Sequence, residues 1–418
     1  MREQLDILYI HPFGKQVYDS KSYYLFDNDL ELKDHNAEKY YSFIPMGLIG
    51  TLNKVRAKGY KIKGVNLPFQ KSVYGFDLES YLREIDAKIV LIDLHWYVHL
   101  KNGLEVAKLC KSILPKAQVI VGGMTASIFA NQLIKLGFID YVVMGDSEQP
   151  FSLLVDKLLG GRKVQVPNLV FKEGVNPISY CSADIDEYNY VDIDFMADYS
   201  SYLRMFDFWL LIARGCSHDC SVCDGSKGVY PDIYSRDKLI VRDALNVARD
   251  IKKLENHTDI VALSHDLDML GKPFWSQLLK YKFKIGVRNE FFQLPSIDLI
   301  KKLADSFEVL DLAFSPIAGS DEERRKYGKN FTNKDFLGLL EKIKDIDFNG
   351  GVTVYFSDYM ISQLKVDRLN SITREELIQS IKEIHPYAVI EVQHQVVDPM
   401  VMIKKHSLEP ERVFESLI

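Results

Sequence analysis

Over its first 170 residues the chain alternates short apolar runs with amphipathic stretches. LDILYIH (5–11) reads as a buried strand. A polar insert follows, and then PMGLIGTLNKVRAKGY (45–60), whose apolar spacing is helical. KIKGVNL (61–67) and AKIVLIDLHWYVH (87–99) predict a second and a third strand. GLEVAKLCKSILP predicts a helix stopped by Pro115. QVIVGG (118–123) is a fourth strand, TASIFANQLIKLG a helix, DYVVMGD (140–146) a fifth strand and EQPFSLLVDKLLGG a closing helix. This rhythm predicts a parallel sheet covered on both faces, with ligands at the carboxyl ends of its strands.

Residues 162–205 lose the rhythm. They are rich in Asp, Tyr and Asn (ADIDEYNYVDIDF), and residues 166–205 are expected to be a connector. From 206 the alternation resumes, with strand candidates DFWLLIAR, DIVALSHD, KFKIGVRNE, EVLDLAFSP, NGGVTVYFS and AVIEVQHQV. Helical stretches such as 239–254 and 333–346 lie between most of them. Six repeats are too few for a closed eight-fold barrel and suit an open, partial one. The expected fold class is α/β, with a doubly wound N-terminal domain (1–165), the connector, a partial (βα)6 barrel (206–400) and a short tail (401–418).

Composition narrows the function classes. The 418 residues exceed one ordinary core. A net charge of −6 gives no overall attraction for nucleic acid, and no apolar run approaches a membrane span. No nucleic-acid or membrane partner is expected, and the expected location is cytoplasmic. The five cysteines are odd in number and mostly clustered, which does not suit a disulfide framework.

Three of them, Cys216, Cys220 and Cys223, fall in LLIARGCSHDCSVCDG as C-x-x-x-C-x-x-C. A structural zinc site needs four ligands, normally in two separated pairs. Cys110 sits in a predicted helix and Cys181 in the connector, and His218 has little room to fold back. Iron–sulfur clusters are normally held by four cysteines, so three leave one iron open for chemistry.

The loop resembles that of the radical S-adenosylmethionine (radical SAM) superfamily, whose C-x-x-x-C-x-x-C follows the first strand of a partial (βα)6 barrel. The resemblance implies a 4Fe-4S cluster on Cys216, Cys220 and Cys223. It also implies S-adenosylmethionine on the open iron and an electron donor such as ferredoxin or flavodoxin. Ser264 and Asp266 (with His265 beside them), Arg288, Glu290 and Ser315 at later strand ends are the matching candidates for cofactor contacts. Tyr355, ending the fifth strand, is the candidate facing the substrate.

Residues 119–159 similarly resemble the cobalamin-binding domain that precedes such barrels. This implies that Gly122, Gly123, Gly145 and Glu148 line the corrin and the pocket for its nucleotide tail. The D-x-H-x-x-G motif that puts a histidine on cobalt is missing after the first strand. His95, Trp96, Tyr97 and His99 are the candidates to pack beneath the corrin, by ligation or by cover. A G-x-G-x-x-G after the first strand is also missing, which argues against a dinucleotide site.

Together the two halves resemble the class B radical SAM methyltransferases. The implied activity is transfer of a methyl group from methylcobalamin to an unactivated carbon, after the 5′-deoxyadenosyl radical removes its hydrogen. The size and layout resemble compact members that methylate protein side chains, such as glutamine C-methyltransferases. A small natural-product precursor is the other substrate class. A cyclase or rearrangement enzyme using cobalamin without methyl transfer, and a non-enzymatic corrinoid sensor, remain as alternatives. A methylthiotransferase would need a second cysteine triad.

Overall fold

The computed structural model describes residues 2–14, 42–360 and 371–418. The polar insert after the first strand lies largely outside these residues. The first sheet has strands β1 (Glu3–His11), β2 (Ile62–Asn66), β3 (Ile85–Asp93), β4 (Gln118–Gly122) and β5 (Tyr141–Val143), all parallel. Two antiparallel strands, β6 (Leu169–Phe171) and β7 (Gly174–Asn176), extend it, giving the order β2-β1-β3-β4-β5-β6-β7. The chain reverses direction across the sheet between β1 and β3, which makes their carboxyl ends the topological switch point. β1 and β3 are nearly continuous apolar runs because helices cover both faces.

The second sheet has six parallel strands, β8 (Phe208–Leu210), β11 (Ile260–Leu263), β12 (Phe283–Phe291), β13 (Phe307–Ile317), β14 (Gly350–Met360) and β15 (Val389–Val396), in sequence order from edge to edge. β8 and β15 do not pair, so the barrel is open. A small antiparallel pair, β9 (Ala213–Arg214) and β10 (Ile240–Val241), follows β8. Helix Ala244–Leu254 shows why the intervening segments are helical. Asp243 caps its first turn by accepting from the Leu245 and Asn246 amides, and Val247, Ala248, Ile251 and Leu254 form its buried stripe.

Two boundaries differ from expectation. β6 and β7 lie inside the expected connector and belong to the first sheet. The DYVVMG strand cannot end the sheet while its edge stays unpaired, and Leu169–Phe171 pairs with it. The expected tail folds as helices Pro399–Lys405 and Pro410–Leu417. Val401, Met402, Val413, Phe414 and Leu417 join the apolar cluster of the first domain, where Phe414 meets Phe129 at 5.3 Å between centroids. The C-terminus therefore straps the barrel to the domain before it.

Candidate functional site

A cavity of about 1490 Å³ lies between the carboxyl ends of the first sheet and the open barrel, and both halves line it. On the first side its wall is the loops after β3, β4 and β5. His95, Trp96, Tyr97, Gly122, Gly123 and Gly145 all reach it. Gly123 has φ +111°, and a Cβ there would lie 2.6 Å from the His95 Cα. The Thr125 amide and hydroxyl both donate to the His95 carbonyl at 3.2 Å. The glycine thus lets two loops touch and leaves the cavity wall without a side chain. Gly123→Ala should push the His95 loop out of place and weaken cobalamin binding about tenfold or more. Spectrophotometric titration with hydroxocobalamin measures this. Burial lowers the His95 pKa to about 4, so the ring meets the cavity neutral, with a lone pair to offer.

Glu148 departs from expectation. It begins helix Glu148–Gly160, is fully buried and does not reach the cavity. Its carboxylate takes the Arg214 guanidinium, which also pairs with Asp146 at 3.1 Å. Arg236 pairs with the other oxygen of Asp146. An isolated buried carboxylate must find a partner, and the partner here is the arginine two residues before Cys216. The GDSE turn therefore ties the first domain to the cysteine loop rather than lining a ligand pocket with Glu148.

Cys216, Cys220 and Cys223 line the cavity across from the glycine loops. Burial raises the Cys216 pKa to about 11 and pushes Cys223 above its usual value as well. Cys223 presents its side chain to the open cavity and is accessible from it. These thiols become thiolates only when a bound cation replaces their protons. The His218 amide donates to the Cys216 sulfur at 3.4 Å and the Gly225 amide to the Cys223 sulfur at 3.3 Å. Three thiols share this wall of the cavity, and three thiolates suit a cluster with one open iron better than a closed four-ligand structural zinc site.

The loop is braced from several sides. The His265 Nε2 bonds the Gly215 carbonyl and its Nδ1 bonds the Ser264 hydroxyl, both at 2.8 Å. The Ser264 hydroxyl also accepts from the Ile212 amide at 3.0 Å. Ser264 lines the cavity, but its hydroxyl serves this brace. The Asp224 carboxylate accepts from the Met400 and Val401 amides, at 3.1 and 2.9 Å, and the Asp224 amide donates to Asp398 at 2.8 Å. Asp266 does not reach the cavity. It is buried and accepts from the Asp268 and Phe292 amides, at 2.8 and 3.2 Å, and burial raises its pKa to about 6. The turn after β11 needs an acceptor for those amides, and Asp266 provides it.

Arg288, Glu290, Ser315 and Tyr355 line the barrel side. The Arg288 Nε donates to Asp311 at 2.6 Å and its Nη1 to Asp207, while the Ser315 hydroxyl donates to Glu290. Tyr355 sits opposite Glu391 in register. Burial raises the Glu391 pKa to about 7. Between the ordinary carboxyl range and pH 7 the folded chain holds a proton that the unfolded chain releases, so this group makes the fold less stable as pH rises. The loss should be on the order of 2 kcal/mol between pH 5 and 8. Denaturant midpoints at the two pH values should differ less for Glu391→Gln than for the parent.

Sequence reasoning missed Lys329, Arg214, Arg236, Glu391 and the Asp224–Asp398 clasp. Lys329 is buried beside the cysteine loop, with its ammonium 5.0 Å from the Phe292 ring centre. It lies in RRKYGKN, the basic stretch that follows the fourth barrel strand. Arg214 had a signal, since a charge at the end of the apolar run FWLLIAR needs a buried partner. Cys110 and Cys181 stay outside the cluster, in helix Leu100–Ile113 and against the Tyr234 carbonyl respectively.

Residues 36–155 match the family model described as B12 binding domain. The hopanoid C-3 methylase of Methylococcus capsulatus (strain ATCC 33009 / NCIMB 11132 / Bath) is 27% identical over 321 residues, 71% of this chain. The chain spans 59% of that relative's length. A solved structure of the radical S-adenosylmethionine methyltransferase TsrM from Kitasatospora setae, with cobalamin and a [4Fe-4S] cluster bound, superposes with TM-score 0.64 at 13% identity. It covers 96% of this chain and 73% of its own. The cobalamin-dependent S-adenosylmethionine radical enzyme OxsB, with aqua-cobalamin and S-adenosylmethionine bound, gives TM-score 0.60 at 12% identity, over 100% of this chain and 55% of its own. The chain therefore joins a segment that matches a B12-binding domain to an open six-stranded parallel barrel, and it shares its overall fold with those solved structures. No helix among the described residues is long and apolar enough to cross a membrane.

Proposed function

We propose that this chain is a cobalamin-dependent radical SAM methyltransferase acting on an unactivated carbon. One observation carries the reading: a single cavity joins the glycine-walled loops of a B12-binding domain to three cysteines at a barrel mouth. The relatives' names support it, since one is a methylase and another a methyltransferase. Cys216, Cys220 and Cys223 would hold the cluster, and Gly122, Gly123, Gly145 and the His95–Tyr97 loop would hold cobalamin. Bound there, the cluster supplies the electron that cleaves S-adenosylmethionine, and cobalamin supplies the methyl group.

The chain's own residues do the rest. Apolar side chains such as Leu91, Val143, Phe292 and Ile317 line the cavity and exclude water from it. Burial lowers the Lys329 pKa from its ordinary value, and its amine stands beside the cysteine loop. Glu290 and Ser315 offer hydrogen bonds to hydroxyl or amino groups, and Arg288 is held in one orientation by Asp207 and Asp311. Tyr355 stays protonated, because burial raises its pKa, and can donate a hydrogen bond into the cavity. The substrate is a small molecule or a protein side chain. The electron donor is a ferredoxin or flavodoxin, and the setting is cytoplasmic.

The test is anaerobic reconstitution with iron, sulfide and methylcobalamin, followed by reduction with S-adenosylmethionine present. Formation of both 5′-deoxyadenosine and S-adenosylhomocysteine supports methyl transfer. 5′-Deoxyadenosine alone points to a cyclase or rearrangement enzyme. Neither product from a fully loaded protein overturns the enzymatic reading.

A further inference from the structure

The first domain contains a second cluster of ligating groups that the reading above does not use. His11 ends β1, Asp93 ends the neighbouring β3, and His99 closes the short 3-10 turn Tyr97–His99. All three are buried, with His11 and His99 fully so. Their ligand atoms all lie within 4.8 Å of one another. The His11 Nδ1 is 3.0 Å from the Asp93 Oδ1, and the His99 Nδ1 is 3.8 Å from the Asp93 Oδ2. The two imidazole rings meet edge to face at 4.8 Å between centroids.

These separations bracket the spacing that a metal demands. Zinc bonds to nitrogen and oxygen of about 2.0–2.2 Å put tetrahedral ligand pairs about 3.4 Å apart. Two imidazoles and one carboxylate leave a further coordination position and carry a single negative charge, which a divalent cation offsets. Two nitrogen donors suit zinc or ferrous iron and argue against magnesium or calcium, which take oxygen. The Tyr9 hydroxyl donates to the Asp93 Oδ1 at 2.8 Å. Such an outer hydrogen bond commonly fixes a ligating carboxylate.

We propose that His11, Asp93 and His99 bind one divalent transition-metal ion of the zinc or ferrous class. Asp93 and His99 bracket His95, Trp96 and Tyr97, which line the cavity. The ion therefore pins both ends of that loop to the end of β1. It is a staple at the topological switch point and is separate from the cysteine cluster. The proposal holds whether or not the chain transfers methyl groups.

The test uses the full chain with Cys216, Cys220 and Cys223 all changed to Ala, produced without cobalamin. Zinc and ferrous iron are added separately, under argon for iron. Bound metal is then counted by elemental analysis after competition with a chelator. One equivalent of one of the two ions is expected, with slower amide exchange over 94–98. Asp93→Asn, which keeps the shape of the side chain, should weaken binding at least tenfold, and Tyr9→Phe about 10–100-fold. Circular dichroism checks that both variants fold. Retention of neither ion overturns the proposal, and so does equal retention by the Asp93→Asn variant.

Discussion

Cys220→Ala should abolish reductive cleavage of S-adenosylmethionine while leaving cobalamin binding intact. The expected loss is about a thousandfold or more, ~4 kcal/mol of barrier. Three thiolates leave a cluster no spare ligand, so two cannot hold the same cube with one open iron. The His218 ring packs edge to face toward Phe292, 6.3 Å between centroids. The glycine loops that would hold cobalamin lie on the other wall of the cavity and owe nothing to Cys220. 5′-Deoxyadenosine is assayed by chromatography, and cobalamin by its visible spectrum. A variant with parental cleavage would remove Cys220 from the cluster.

Arg214→Met should destabilise the fold by about 3–5 kcal/mol, because it leaves the buried Glu148 carboxylate without its partner. Glu148 is 0% and Arg214 8% exposed, so water cannot take over. Adding Glu148→Leu should recover much of the loss, since a buried pair replaced on both sides by apolar groups is often neutral. Thermal midpoints of the single and double variants measure this. A single variant within about 1 kcal/mol of the parent would mean that the pair does not clamp the two halves.

The parallel strands of both sheets were legible because parallel sheets covered by helices need apolar runs at regular intervals, whereas the antiparallel β6 and β7 were not. DIVALSHD, KFKIGVRNE and EVLDLAFSP all became barrel strands. The Cys216–Cys223 spacing was legible because a cluster loop needs its ligands close in sequence. Glu148 was misread because its fate depends on Arg214, 66 residues away, and no local pattern reports such a pairing. Asp266 looked like a cavity residue from its strand-end position, yet the turn amides claimed it. Lys329 was hidden because burial of a lysine depends on what packs around it. The helices after 401 were hidden for a related reason. Their apolar residues are too few to declare a core until the first domain supplies the other half.

The proposed function requires that the one cavity lined by both sets of loops take both cofactors. Electron paramagnetic resonance tests it on the protein reconstituted with cob(II)alamin and a reduced cluster. The account predicts a cob(II)alamin signal broadened or split by the cluster spin, and a return to the isolated signal in Cys220→Ala. An unperturbed signal in the doubly loaded parent, identical to that of the variant, would contradict it.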